Sequence, residues 1–418
     1  MSRNQIRAVA ITSAIAALDG YDVLAATFAA PGIARNLGLD QAALGTFLSS
    51  GLIGMAAGSL LLAPLADRFG RRPMVVFNLA LMGLGMMMTA FAQSLPLLIF
   101  WRLITGIGIG SMVPIVTPLA AEYANVRRRT LALAVMTIGY PVGGVVGGLG
   151  AAVLLTHFDW PAVFLLGAAL SALLLPLALL WIPEPLPFLL KRDDAEALGR
   201  VNALLARFGQ PAVSRLPKPP SASGTTYRQI FAPEQRAWTL RAATAYPLFM
   251  FTLYYIMSWM PQIVANAGYS PSAATMVSTI AAMAGAVASI ILGFCGPSIS
   301  RVGMGIIISG LGVAAVLFVI VPPSLSLFML AGGLVGICLY GGSVGNYAFI
   351  VNAFPVAMRA TGIGFSMALA RGAGAVSPAL AGMLIAGGVK QAVVAAVIGS
   401  AAVISGIIVA ASPSRSSR

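Results

Sequence analysis

Carboxylates are scarce in this chain: 11 in 418 residues, and none lies beyond Glu234. Any chemistry that protonates a buried acid must therefore use the N-terminal half. Histidine occurs once, as His157, in what reads as a short connecting loop. The two cysteines, Cys295 and Cys338, sit in apolar runs and read as small core residues. No zinc or haem spacing exists, so no metal and no cofactor is expected. One histidine leaves no nucleophile–base set, and no phosphate-cradling loop is present, so an enzyme is not expected. Charged residues make up 9% of the chain, against about 25% in soluble domains. Hydrophobic residues make up 59%. This composition excludes a soluble globular protein and indicates an integral membrane protein.

The net charge of +14 does not point to nucleic acid, because the basic residues gather in connecting segments without stacking aromatics between them. They read as topology signals and contacts to lipid headgroups. A bilayer core needs about 20 apolar residues per helix. Twelve such spans are legible: 8–30, 43–66, 74–92, 97–120, 131–155, 161–182, 240–262, 272–295, 304–321, 325–349, 360–386 and 391–411. The first carries acids and lacks a clear cleavage site, so it is no cleavable signal. Of 25 basic residues, 21 fall on the side that holds both termini, only Arg35 and Lys390 fall on the other, and Arg102 and Arg371 lie inside spans. The positive-inside rule then places both termini in the cytoplasm.

The segment 183–239 divides the chain six plus six. It holds "KRDDAEALGRVNALLARFG", which reads as a short surface helix, and a Pro/Ser-rich linker after it. The domains expected are a bundle at 1–182, a cytoplasmic central loop at 183–239 and a second bundle at 240–418. The halves echo each other. "APLADRFG" (63–70) follows span two and "GPSISRVG" (296–303) follows span eight; "EYANVRRRT" (122–130) and "NAFPVAMRA" (352–360) follow spans four and ten. Parallel six-helix repeats predict an all-α major facilitator fold of 12 transmembrane helices in two six-helix bundles.

"LADRFGRRP" (65–73) resembles the major facilitator superfamily's loop that locks the cytoplasmic gate, a plain basic loop being the alternative. Gly70 permits the turn, Asp67 caps or pairs across to a neighbouring helix end, and Arg68, Arg71 and Arg72 anchor the face. Glu122 and Arg129 flank the equivalent loop after span four. The leading glycine usual in this motif is here Ala63.

Only Asp19 and Asp22 fall well inside a span. Each costs roughly 3 kcal/mol at a helix centre, so a function must retain them. At i and i+3 they share a helix face. Burial and mutual repulsion both favour a shared proton, the property a proton carrier needs. Arg102 lies roughly 9 Å and Asp22 roughly 5 Å outside their span midpoints at 1.5 Å rise per residue, so the two meet at similar depth. Gly106, Gly108 and Gly110 are expected to bring span four against span one. Arg371, near the middle of span eleven, has no intramembrane acid in its own half. An anionic ligand is its natural partner, a carboxylate above all; pairing with helix-end carbonyls, or with Asp19 or Asp22 across a cavity, is the alternative. Arg102 is a candidate for binding the same anion, with a structural pair to a span-one acid as its alternative. Tyr21, Tyr254, Tyr255, Trp259, Asn346 and Tyr347 are candidate cavity residues, with Trp259 also placed as an interfacial belt residue. In "GYPVGGVVGG" (139–148), Tyr140 stands where antiporters carry glycine, which weakens an export reading.

"DGYD", "LADRFGRRP", "RLITGIGIG", "EYANVRRR", "PEPLPFLL", "SWMPQIV" and "FPVAMRATGIGFSMALARGAG" together resemble the aromatic acid:proton symporter family of the major facilitator superfamily, over nearly the whole chain. "PEPLPFLL" departs from the common Pro-Glu-Ser form at Pro185. The resemblance implies uptake of an aromatic carboxylate, such as a hydroxybenzoate or protocatechuate, together with protons. It implies a need for both acids of "DGYD", a bacterial inner membrane and a role in aromatic catabolism. A monomer surrounded by lipid is expected. Carriers of other small organic anions, nicotinate-like or aliphatic, and proton antiporters remain the alternatives.

Overall fold

The structure, a computed structural model, describes residues 1–184, 186–189, 197–208, 210–214, 216, 227–295, 299–355 and 358–413. Among them, twelve helices are long and apolar enough to cross a membrane. They are α1 (Arg3–Leu37), α2 (Gln41–Leu61), α3 (Arg71–Ala90), α4 (Leu95–Tyr123), α5 (Arg129–His157), α6 (Pro161–Trp181), α7 (Pro233–Asn266), α8 (Pro271–Cys295), α9 (Arg301–Ile320), α10 (Leu325–Ala353), α11 (Arg359–Ala386) and α12 (Gln391–Ala410). No strand occurs among the described residues.

Several helices outrun their apolar stretch because polar residues cap them. α1 begins at Arg3, where the Ser2 hydroxyl accepts from the Gln5 amide at 3.3 Å and the Gln5 side chain accepts from the Ser2 amide at 2.8 Å. This is a capping box. α1 ends on Gly38 at φ 60°, a left-handed stop, and Asp40 then caps α2 by accepting from the Ala43 amide at 2.7 Å. α2 stops at Leu61, short of the expected 66, and a tight turn over Ala63–Leu65 containing Pro64 follows. His157 closes α5 instead of lying in a loop. The expected surface helix is present as Ala197–Arg207; residues 190–196, with which that stretch opens, lie outside the described residues.

Small residues decide which helices touch. Gly20 of α1 lies against the Tyr140 carbonyl of α5, and Gly143 of α5 lies against Ala17 of α1. Gly106 and Gly110 of α4 lie against Gly51 and Met55 of α2, while Gly108 meets Met82 of α3. The expectation that these three glycines bring α4 onto α1 is therefore corrected. A small-residue stripe says that a neighbour comes close, not which neighbour. Trp259 is a second correction. It is 0% exposed, and its indole N–H donates to the Pro378 carbonyl of α11 at 3.2 Å, so it belongs to the core and not to a belt.

Twelve crossings return the chain to its starting side, so both termini share one face. On the opposite face the first six and last six helices are joined. The Ser49 hydroxyl accepts from the Ala379 amide at 2.9 Å, and the Ser272 hydroxyl donates to the Ala152 carbonyl at 2.8 Å. Gly45 and Gly382 let α2 and α11 meet backbone to backbone there. On the termini face Arg71 pairs with Glu122, Gln235 with the Ala353 carbonyl and Arg301 with the Ser412 carbonyl, each within one half.

Candidate functional site

α1 runs unbroken through Asp19-Gly20-Tyr21-Asp22. Asp19 is 1% and Asp22 0% exposed. Asp22 faces α4 and α6. A Cβ added at Gly167 of α6 would stand 2.9 Å from its Oδ1, so only a glycine leaves room for this carboxyl. Neither Asp22 oxygen has a hydrogen-bond partner. Arg102 arrives beside it from α4, but through the backbone: Nη2 stands 3.5 Å from the Asp22 carbonyl. Nη1 stands 3.7 Å from the Met86 sulfur, and the guanidinium carbon lies 5.9 Å from the Phe164 ring centroid. Arg102 is 3% exposed. The sequence-based expectation that Arg102 and Asp22 meet in depth agrees with this geometry, and Arg102 is enclosed in the first half of the chain.

Asp19 lies within electrostatic range of Asp22, one turn along α1. It also lies within electrostatic range of Arg371 of α11, so these two charges approach from opposite halves. Arg371 is half-buried and makes no hydrogen bond or ion pair among the described residues. The acids thus divide between two arginines: Asp22 with Arg102 inside one half, Asp19 with Arg371 across the middle.

Tyrosines crowd this second pair. Tyr140 of α5 is within electrostatic range of Asp19, Arg371, Tyr254 and Tyr340; Tyr246 of α7 is within range of Tyr254, Arg371 and Tyr347. The Tyr254 ring packs on Gly374, three residues from Arg371, and the Tyr340 ring packs on Gly285 of α8. Of these, sequence reasoning singled out Tyr254 and Tyr347 for the cavity, treated Tyr140 only as a departure from an antiporter pattern, and missed Tyr246 and Tyr340. One signal existed: Tyr340 and Tyr347 are seven residues apart, two helical turns, and so share a face. Other candidates are placed elsewhere. Tyr21 is 1% exposed and donates its hydroxyl to the Val163 carbonyl of α6 at 2.5 Å. Asn346 is fully buried, facing the Gly342 carbonyl and Ser405 of α12. Tyr255 and Trp259 are both 0% exposed.

On the termini face a polar cluster surrounds the loop before α3. Gly70 adopts φ 105°, a conformation open to glycine, and no Cβ blocks the approach of Glu184. The Glu184 carboxylate accepts from the amides of Arg71 at 2.6 Å and Arg72 at 3.2 Å, which caps the N-terminus of α3. The Arg71 side chain pairs with Glu122 at 2.6 Å; Arg72 donates to the Leu179 carbonyl at 2.6 Å. Burial pushes the Glu184 carboxyl above its ordinary 4.5, against the two amides and the neighbouring arginine charges that hold it down. Glu184 was not among the gating residues expected from sequence, although its motif was noticed. Arg68 is exposed with its guanidinium over the Phe69 ring. Arg129 is exposed at the start of α5, and the Asp67 side chain lies outside the described residues.

Twelve crossing helices, joined across one face and enclosing buried charges midway, define a membrane transport protein. The chain matches the Major Facilitator Superfamily over residues 11–304 and belongs to that family, whose members are transporters and not enzymes. It is 30% identical to a 3-(3-hydroxy-phenyl)propionate transporter of Escherichia coli, covering 97% of this chain and 93% of that one. It is 30% identical to a gallate transporter of Pseudomonas putida, over 85% of this chain and 80% of the relative. It is 28% identical to a 4-hydroxybenzoate transporter of Acinetobacter baylyi, over 93% and 86%. An inward-open structure of the E. coli xylose transporter XylE shares the fold at TM-score 0.70 and 16% identity, covering 96% of this chain and 94% of that one.

Proposed function

We propose that the protein is a proton-coupled symporter that imports an aromatic carboxylate by alternating access. The observation that carries this reading is Arg371: a half-buried cation with no hydrogen bond or ion pair among the described residues, within electrostatic range of Asp19 from the opposite half. A planar guanidinium in that position suits a carboxylate, which it grips through two parallel N–H donors. The relatives support the choice of an aromatic acid, since those at 28% to 30% identity carry hydroxyphenylpropionate, gallate and 4-hydroxybenzoate.

In this mechanism a proton taken up by the Asp19/Asp22 pair loosens the hold of Asp19 on Arg371. The substrate anion then occupies Arg371, and the loaded carrier reorients. Asp22 and Arg102 keep the rest of the charge balanced inside the first half. The segments 1–182 and 240–418 rock about the central site, with 183–239 as the cytoplasmic connection. With both termini in the cytoplasm of a bacterial inner membrane, the present arrangement faces inward: the outer face is joined by Ser49–Ala379 and Ser272–Ala152. The cluster of Asp67, Arg68, Gly70, Arg71, Arg72, Glu122 and Arg129, with Glu184 added, acts as the cytoplasmic gate. The protein works as a monomer in lipid.

A niacin transporter of Acinetobacter baylyi, 26% identical over 86% of this chain, makes a heteroaromatic acid the second reading. The test is substrate competition in proteoliposomes holding the purified protein under an imposed proton gradient. Benzoate-type acids should compete for uptake and aliphatic acids should not. Competition by nicotinate alone favours the second reading, and competition by aliphatic acids alone removes the aromatic one.

A further inference from the structure

The chain has ten tyrosines, and five of them form one cluster beside Arg371: Tyr140, Tyr246 and Tyr254 lie within electrostatic range of it, Tyr340 neighbours Tyr140 and Tyr254, and Tyr347 neighbours Tyr246. They come from α5, α7 and α10, so both halves contribute. Their hydroxyls differ from those of three tyrosines elsewhere. Tyr21, Tyr123 and Tyr269 each donate to a backbone carbonyl, of Val163, Pro183 and Pro323. The five around Arg371 make no hydrogen bond among the described residues. Tyr255, beside Tyr254 in sequence, is 0% exposed in the core; its hydroxyl also lacks a partner but is sealed from open space, which sets it apart from the cluster.

Tyr140, Tyr254 and Tyr340 are partly buried and Tyr347 is 48% exposed, so these rings border open space, where a polar group at membrane depth is costly without a partner. Phenylalanine would supply the same ring face, and the chain uses it 19 times. Grouping tyrosines at one place, with their hydroxyls uncommitted, therefore favours a ligand that completes the bonds. The rings are held by backbone approach and not by their hydroxyls: Tyr254 rests on Gly374, Tyr340 on Gly285, and the Tyr140 backbone abuts Gly20, next to Asp19. That leaves the polar tips available while the faces stay fixed, the form of a site lined by apolar surface with a few placed polar groups.

We propose that this tyrosine cluster is the ring subsite of the carrier and that it selects aromatic acids bearing a phenolic hydroxyl. The carboxylate sits on Arg371, the ring lies among the tyrosine faces, and the substrate hydroxyl bonds to a tyrosine hydroxyl. This rests on the aromatic-acid reading above and adds to it the residues and the part of the substrate they read. A site built to hydrogen-bond a hydroxyl discriminates against the analogue without one, because its own polar groups are then left unpaired.

The test measures inhibition constants of 4-hydroxybenzoate, 3-hydroxybenzoate, benzoate and 4-methylbenzoate against uptake of labelled 4-hydroxybenzoate into proteoliposomes. The methyl compound matches the hydroxyl in size without its hydrogen bond. At least one hydroxybenzoate should bind about tenfold or more tighter than benzoate and 4-methylbenzoate, the effect of one good hydrogen bond. Tyr140→Phe, Tyr254→Phe and Tyr340→Phe keep the rings, and at least one should bring that ratio close to unity by weakening the hydroxybenzoate more than benzoate. Equal inhibition by all four acids in the wild type overturns the proposal and leaves aromatic-acid transport standing. So does a ratio unchanged in all three variants and in their combination. Failure of every aromatic acid to be transported or to compete overturns both readings.

Discussion

Gly20 and Tyr140 meet backbone to backbone: a side chain at 20 would collide with the carbonyl of Tyr140. With Gly143 against Ala17, this contact holds α1 against α5 and sets Asp19 beside the tyrosine cluster. Gly20→Ala should destabilise the protein by about 1–3 kcal/mol, the usual cost of overpacking, and reduce uptake by displacing Asp19. Gly364→Ala is the control, because a Cβ there meets nothing and alanine favours helix. Thermal unfolding in detergent should show a lower midpoint for the first and an unchanged or higher one for the second. Equal midpoints would mean that α1 and α5 slide apart freely.

The outer face is held in part by the Ser49 hydroxyl on the Ala379 amide. Ser49→Ala removes a bond worth about 1 kcal/mol, which corresponds to about a fivefold change in a two-state population. Spin-label distances between the α1–α2 and α7–α8 turns should show a larger fraction open on that face. An unchanged distance distribution would remove this bond from the gate.

Arg371 makes no hydrogen bond or ion pair among the described residues whose loss should unfold the chain. Arg371→Ala should therefore retain the wild-type unfolding midpoint while weakening substrate binding by about ten- to a hundredfold, the range of a charge-assisted pair. Arg371→Lys keeps the charge but not the two-pronged geometry and should fall between. Tight substrate binding by the alanine variant would place the carboxylate elsewhere.

Glu184 gives a pH signature on the cytoplasmic face. Burial raises its carboxyl above 4.5 in the folded protein, so the folded state holds this proton more tightly than the unfolded chain does. Stability from this group is then fully present below 4.5 and declines as pH rises through the folded value. The unfolding midpoint of the wild type relative to Glu184→Gln should fall as pH rises from 4.5 and then level off. A relative midpoint that climbs with pH would mean that the two amide hydrogen bonds on the carboxylate outweigh its burial.

The twelve helices were legible because length and hydropathy state them locally. Their ends were less so: α1 reaches Arg3 through a Ser2–Gln5 capping box that a hydropathy window does not weigh. Asp19, Asp22, Arg102 and Arg371 were legible because a charge in a span stands out against lipid. What each one faces was not, since Gly108 could seat α4 on any neighbour and the structure puts Met82 there. Tyr140, Tyr246 and Tyr340 converge from three helices far apart in sequence, and nothing in one stretch announces that. Glu184 escaped for the same reason, because its partners are the amides of Arg71 and Arg72, more than a hundred residues away.

The central claim, that a proton on the Asp19/Asp22 pair drives uptake, is tested most directly by two assays on the same vesicles. One is accumulation of labelled 4-hydroxybenzoate under an imposed pH gradient; the other is exchange of internal for external substrate without a gradient. Asp19→Asn should abolish gradient-driven accumulation and retain exchange, and Asp22→Asn should abolish accumulation as well. Accumulation undiminished in both variants would contradict the account.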